Sequence, residues 1–297
     1  MDRSRHPFLS LWAPLLLVTL LFTSGCGAVR GAFVSSGTET LSEIVKSIGR
    51  QPDVELVRDG LPTMILILDG LVAADPENPE ILAAACDAYL GYVQAFVDGR
   101  DADRSRILYR RAREYALRAL DRKPAFAAAR ESGRLEEYER ALADTNADDA
   151  PALHRTAAAW LGLIIADSDS METLSELPQA LAIAERALEL DETYGQGSGH
   201  LVFAIFYAAQ PRGAGQDLDR SGSHFARAIE IAGPGQLFPF VLRAEFIGKA
   251  TLDQEFFVEE LTRVLQVDLE QYPESRFLNE LARERARDLL TQQDDIF

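Results

Sequence analysis

The sequence predicts an all-α protein, an α-solenoid of antiparallel helical hairpins, and three observations carry that prediction. From about Leu41 to the C-terminus apolar residues recur at helical spacing, Ala, Leu, Glu and Arg dominate, and no convincing alternating strand run appears. The breaks between periodic segments are short and carry Pro, Gly, Asp or Asn, as in Asp167-Ser168-Asp169, Pro211-Arg212-Gly213 and Gly233-Pro234-Gly235. Connections that short make sequential helices antiparallel neighbours. Small residues also recur on the second helix of several pairs, where helices must approach closely. At 297 residues, 47% hydrophobic and 26% charged, the chain is ample for a real core.

Taken in order, the chain opens on an address. Arg3 and Arg5 form a basic start, and Leu9 to Phe22 form an apolar stretch broken by Pro14. That stretch is shorter than the roughly 20 residues a spanning helix needs and suits a secretory h-region. Thr23-Ser24-Gly25-Cys26 then resembles a bacterial lipobox, with Thr23 where an aliphatic residue is usual. Residues 1–25 are expected to be a signal peptide, Cys26 the lipidated first residue of the mature chain, and 26–40 a linker to a helical domain over 41–297. An ordinary signal peptide with a bystander cysteine is the competing reading. Gly27, in place of Asp, directly after the lipid cysteine is compatible with outer-membrane sorting.

Within the body, 61–74 reads as a buried helix ending before Asp75-Pro76. Asn78-Pro79 opens the next helix, proline in its first turn, which runs to Val97 and stops at Asp98-Gly99; its partner covers about 103–121. Residues 151–167 pair with 176–191, 196–209 with 217–232 and 239–250 with 253–268, and a closing helix covers about 273–292. Cys86 sits in an Ala-rich helical run and reads as a small buried hydrophobe. On the second helices, Ala112, Ala119 and Pro124, then Ala180, Ala184 and Ala187, then Ser221, Phe225 and Ala228 resemble the back half of a tetratricopeptide repeat. The front half is weaker, with Ala204 and Tyr207 in one unit and Trp160-Leu161-Gly162 in another. The period is irregular: Ala119 to Ala187 is 68 residues and Ala187 to Ala228 is 41, against about 34 in the consensus.

Composition excludes several functions. A net charge of −17 argues against a nucleic-acid or anionic-membrane binder, because both partners need a basic face. Two cysteines make no disulfide scaffold, and the four histidines (His6, His154, His200, His224) are not at metal-ligand spacing. No nucleophile elbow or phosphate loop is present, since Pro211-Arg212-Gly213-Ala214-Gly215-Gln216-Asp217 lacks the Lys-Ser/Thr of a phosphate cradle. Acidic pairs such as Glu136-Glu137 and Glu259-Glu260 read as solvated surface. No catalytic residue, metal or cofactor is expected.

Aromatic residues are more informative. Tyr89, Tyr92 and Phe96 share one helix face, and Phe203, Phe206 and Tyr207 cluster on another helix. Core packing is their default role; lining an apolar channel inside a curled solenoid is the alternative.

Three blocks then resemble a known family: Ala88 to Val97 with Tyr109 to Ala116; Tyr194 to Leu201 leading to Tyr207-Ala208-Ala209-Gln210-Pro211; and Phe277 to Ala282 with Arg285 to Leu290. With the lipobox, they are similar to the T-component (TatT) lipoproteins associated with TRAP transporters, in the right order over about 60–292. The resemblance implies a periplasm-facing lipoprotein of degenerate tetratricopeptide-like hairpins, a homo-oligomer such as a trimer. It also implies a partner, the extracytoplasmic solute-binding subunit, and an apolar channel holding a hydrophobic or amphipathic organic acid. Tyr89, Tyr92, Phe96, Trp160, Phe203 and Tyr207 are the side chains expected beside that ligand. The rival is an envelope scaffold for protein–protein interaction with no small-molecule ligand.

Overall fold

The computed structural model describes residues 43–213 and 215–297, and the described residues contain helices and no strand. The expected lipidation at Cys26 lies outside the described residues. Contacts divide the chain after Ile48, and everything below concerns the unit Gly49–Phe297. None of the described helices is long and apolar enough to cross a membrane.

The helices start where short polar side chains can satisfy the free N–H groups of a first turn. Asp53, Asp101, Asp217 and Asp253 each accept from the backbone N–H three residues on, at 2.9–3.0 Å. They open α1 (Val54–Ala74), α3 (Ala102–Leu120), α10 (Leu218–Ala232) and α12 (Gln254–Gln266). Asn78 caps α2 (Pro79–Phe96), whose proline at the first position gives up an N–H that would be unpaired in any case. Between α3 and α12 run α4 (Pro124–Ser132), α5 (Leu135–Ala143), α6 (Ala150–Ala166), α7 (Met171–Ser175), α8 (Leu177–Leu190), α9 (Tyr194–Ala209) and α11 (Phe238–Arg243). A π turn, Ala244–Gly248, extends α11; α13 (Arg276–Thr291) and α14 (Gln293–Ile296) close the chain.

The hairpins pack as a solenoid. α2 lies between α1 and α3, α3 packs on α6, α6 on α8, and α9 on α10 and α6; α11, α12 and α13 form the last group. Of the residues singled out on the second helices, Ala112, Ala180, Ala187, Ser221, Phe225 and Ala228 are fully buried, whereas Ala119 is half-buried and Pro124 exposed. One core gathers Leu120, Phe126, Tyr138, Leu153, Trp160 and Ile183; another gathers Leu237, Val241, Phe257, Leu261 and Leu289. Cys86 is fully buried, and burial pushes its thiol far above the ordinary range, so it packs as a hydrophobe.

Three expectations are corrected. The segment 61–74 is not a buried helix: α1 starts earlier, runs through Pro62, and rests on neighbours by one stripe only, Val54, Val57, Ile65, Leu68 and Val72. Its other side leaves Leu66 70%, Ile67 59% and Leu71 42% exposed. Glu260 is not solvated: it is buried under an ion pair with Arg243, whose Nε and Nη2 lie 2.9 and 2.6 Å from it. Pro124 is not a close-packing position of a second helix: it is exposed and opens a short hairpin, α4 and α5, that turns at Gly133 with φ of 65°.

Candidate ligand-binding cavity

A cavity of about 810 Å³ opens between α2, α6 and α9, and residues of α3, the π turn after α11, and α13 also line it. Its wall is apolar along the middle, from Leu90, Leu161, Ile165, Val202, Phe203 and Phe246. α2 and α6 run side by side, and from Asp87 to Asp98 and from Arg155 to Ala166 each rises about 16 Å at 1.5 Å per residue. Charged side chains gather at the two ends of that span.

At one end Arg155 Nε donates to both oxygens of Asp87, at 2.7 and 2.9 Å. The guanidinium lies 6.0 Å over the Tyr194 ring, and Tyr194 stacks on His154 at 4.9 Å. His154 Nε2 is 2.7 Å from the Asp191 carbonyl oxygen and therefore donates to it. Burial holds the His154 imidazole below its ordinary value, against the pull of that carbonyl. Burial likewise pushes Asp87 up, while Arg155 pulls it back.

At the other end Asp98 accepts from Ser105 Oγ at 2.8 Å and from Tyr109 Oη at 2.5 Å, and burial pushes its carboxyl up against those two bonds. Arg106 reaches Asp167 at 3.4 Å, and Arg285 Nη2 reaches Glu245 at 2.5 Å.

Two irregular stretches of backbone shape the wall. The π turn presents Glu245 and Phe246. A left-handed turn at the start of α9, with Gly195, Gln196 and Gly197 at φ of 55°, 58° and 80°, sets Tyr194, Ser198 and Gly199 against the cavity. Two close approaches depend on glycine: a Cβ on Gly162 would collide with the Tyr109 ring, and one on Gly199 would lie 2.7 Å from His154 Cε1.

Of the six expected ligand-side residues, Phe203 lines this cavity. Tyr207 lines a second, more open pocket with His200 and His224. Trp160 lies in the core, edge-on to Tyr138 at 5.7 Å, its N–H donating to Glu176 at 2.8 Å. Tyr89 and Tyr115 both donate to Asp69 of α1, at 2.8 and 2.6 Å. Tyr92 accepts from Arg104 at 3.0 Å, and Phe96 meets Phe277 at 6.2 Å. The aromatic stripe of α2 thus braces it against α1, α3 and α13.

The stripe of α2 facing the cavity is Asp87, Leu90, Gly91, Gln94 and Ala95, with Asp98 just past its C-terminal end. Those positions also repeat at helical spacing, and the signal is visible in the sequence as small and polar residues recurring inside an apolar helix.

In the second pocket His200 and His224 face each other, Nδ1 to Nδ1 at 2.9 Å, while His200 Nε2 lies 3.1 Å from Glu192. The His224 ring stacks on Phe203 at 5.2 Å and on Tyr207 at 5.8 Å. Burial, then the charges of His200 and Arg220, hold His224 down to about 4. Among the described residues, no group of three or more His, Cys, Asp and Glu side chains is arranged to hold a metal ion.

Comparison with known proteins places this cavity in context. A model of the TRAP transporter T-component family matches residues 50–297, all but the first residue of the unit that contains it. The chain belongs to the TRAP transporter T-component family. A family member here is a component of a transport system, and the family is one of accessory transport components rather than of enzymes. The chain is also similar to an uncharacterised protein of Treponema pallidum (strain Nichols), 25% identical over 327 aligned positions that cover 99% of each chain.

Proposed function

We propose that this protein is a lipid-anchored, periplasm-facing accessory of a TRAP-type transport system, holding an apolar or amphipathic ligand in the cavity between α2, α6 and α9. The observation that carries the reading is the cavity itself, about 810 Å³ with an apolar middle and charged ends, inside the unit matched by the family. Pockets of that size and lining suit small organic ligands, with a few polar groups fixing orientation. In this reading Cys26 carries the acyl anchor, the acidic body stands away from anionic lipid heads, and the ligand passes to or from an extracytoplasmic solute-binding subunit. Of the aromatic residues first expected at the ligand, Phe203 keeps that place; Tyr89, Tyr92, Phe96 and Trp160 hold the wall's supporting helices, and Tyr207 borders the neighbouring pocket.

Self-association belongs to the same reading. The outer side of α1 exposes Leu56, Leu66, Ile67 and Leu71, with Gly60 and Gly70 open to solvent between them. A glycine inside a helix lowers its stability by about 1 kcal/mol, and here nothing within the protomer uses the missing side chain. Close packing of a second copy, as in a trimer, makes use of it.

Native mass spectrometry of the purified full chain, followed by mild denaturation, tests the proposal. An oligomer that releases an amphipathic small molecule supports it. A ligand-free protein that stays empty when offered fatty acids favours a scaffold that binds only other proteins.

A further inference from the structure

We infer that Arg155 is the head-group receptor of the cavity: its two Nη groups take the carboxylate of an amphipathic acid whose chain lies along the wall between α2 and α6. The inference rests on the reading of the cavity as a ligand site and names the chemical group recognised there.

A guanidinium offers five N–H donors in a fixed plane. In Arg155 one of them, Nε–H, is shared by the two oxygens of Asp87. The other four, on Nη1 and Nη2, meet no acceptor among the described residues, although the side chain is only 23% exposed and belongs to the cavity wall. Both Nη groups are open to solvent, so a carboxylate entering the cavity can take them without any bond within the protein being broken. The Nη edge of a guanidinium matches the two oxygens of a carboxylate.

The other three arginines of the cavity are differently placed. Arg106 commits Nη1 to Asp167 and Nη2 to Asp103. Arg100 directs Nη1 to the Ala95 carbonyl and Nη2 toward Asp288, and Arg285 gives Nε and Nη2 to Glu245. Arg155 alone of the four keeps both Nη groups uncommitted. It is also held still: Asp87 fixes one edge of the guanidinium and the Tyr194 ring lies under its face. A ligand carboxylate on the opposite edge from Asp87 keeps the cation between the two anions.

Tail length follows from the wall. From Arg155 to Ile165 α6 rises about 15 Å, and an extended chain advances about 1.2 Å per bond, so an acid of about twelve carbons spans the apolar stretch. Leu161, Ala158 and Phe203 line its path.

The test is equilibrium dialysis of the full chain against dodecanoate and against dodecanol, which share a tail and differ in the head. Arg155→Gln is measured beside Asp87→Asn/Arg155→Gln, because the double variant removes both charges and leaves no unpaired carboxylate to unfold the site. The wild type is expected to favour dodecanoate by about tenfold or more, the effect of charge-assisted bonds to a guanidinium. The double variant should bring that preference to about one while dodecanol binding persists, and a folded Arg155→Gln, with Asp87 left beside the head group, should bring it to one or below.

A preference that survives in folded variants, or no preference in the wild type, overturns the role of Arg155 and leaves the cavity reading in place. A wild type that takes up neither compound overturns the cavity reading, and the inference with it.

Discussion

Replacing Gly162 by alanine tests how tightly the cavity wall is built. A Cβ at that position would sit 2.7 Å from both Cδ1 and Cζ of Tyr109, and closer still to Cε1. Carbon contacts settle at about 3.5–4.0 Å, so the ring would have to retreat by about 1 Å. Tyr109 is not free to do so, because its hydroxyl is bonded to Asp98 at 2.5 Å and the residue is buried. Overpacking costs about 1–3 kcal/mol, and loss of a hydrogen bond to a buried carboxylate adds about 1.5–3 kcal/mol. Greater helix propensity offsets about 1 kcal/mol. The net expectation is a loss of about 1.5–5 kcal/mol on those terms.

Gly91 is the matched control, since it lies on the facing helix beside the same cavity and a Cβ there meets nothing within 4 Å. Gly91→Ala should therefore gain about 0.5–1 kcal/mol. Urea unfolding of both variants beside the wild type reads the difference, provided the slopes agree. A Gly162→Ala protein as stable as Gly91→Ala refutes the reasoning, because the wall would then be soft enough to absorb a methyl group.

Other expectations follow from the same contacts. Asp69→Ala removes the acceptor of both Tyr89 and Tyr115 and should cost about 2–4 kcal/mol in urea unfolding; a change below about 0.5 kcal/mol, within the ordinary range of surface substitutions, would mean that α1 is held by its apolar stripe alone. Gln196 adopts a left-handed backbone conformation with φ of 58°. Relief of that strain and the freedom glycine adds to the unfolded chain nearly cancel, so Gln196→Gly should be neutral or stabilising by up to about 1 kcal/mol. Gln196→Val should lower the melting temperature, and equal tolerance of both would count against the left-handed turn. His224 is held down to about 4 in the folded protein, below the ordinary imidazole value near 6.5. The unfolded chain therefore binds a proton first, so His224's contribution to stability is complete above about pH 6.5 and is lost as the pH falls toward 4. His154, also held down, acts in the same direction. Melting curves of His224→Asn should show a shallower fall across that window than the wild type; parallel curves would contradict the assignment.

The helix boundaries were legible because they are written locally. Asp or Asn before a periodic run, proline in a first turn and glycine after a last turn stop and start helices wherever they occur, and the expected ends of α2, α3, α6 and α13 fall within a few residues of those observed. Close-packing positions such as Ala180, Ala187 and Ala228 were legible for the same reason, since a helix that approaches its neighbour needs small side chains there.

What escaped was decided by neighbours distant in sequence. The apolar run in α1 looks like core, yet one side of it meets no other helix of the unit, so burial stops at a stripe. Glu260 looks like surface until Arg243 from another helix covers it. On α2 two stripes compete, one aromatic and one of small and polar residues. Aromatic side chains attract attention, but they are large enough to fill the packed side, and the void opens along Asp87, Gly91 and Gln94. His200 and His224 come together only because α9 and α10 form a hairpin.

The central claim is that the space between α2, α6 and α9 binds a ligand, and filling that space tests it most directly. Ala158 lines the cavity from α6 and is half-buried, so Ala158→Trp places an indole in the ligand's path. Titration of wild type and variant with a polarity-sensitive fluorescent fatty acid reads occupancy, and far-UV circular dichroism confirms that the helices are intact. The account predicts saturable, blue-shifted binding by the wild type and loss of that binding in the variant. Equal binding by a folded Ala158→Trp protein, or none by the wild type, would contradict it.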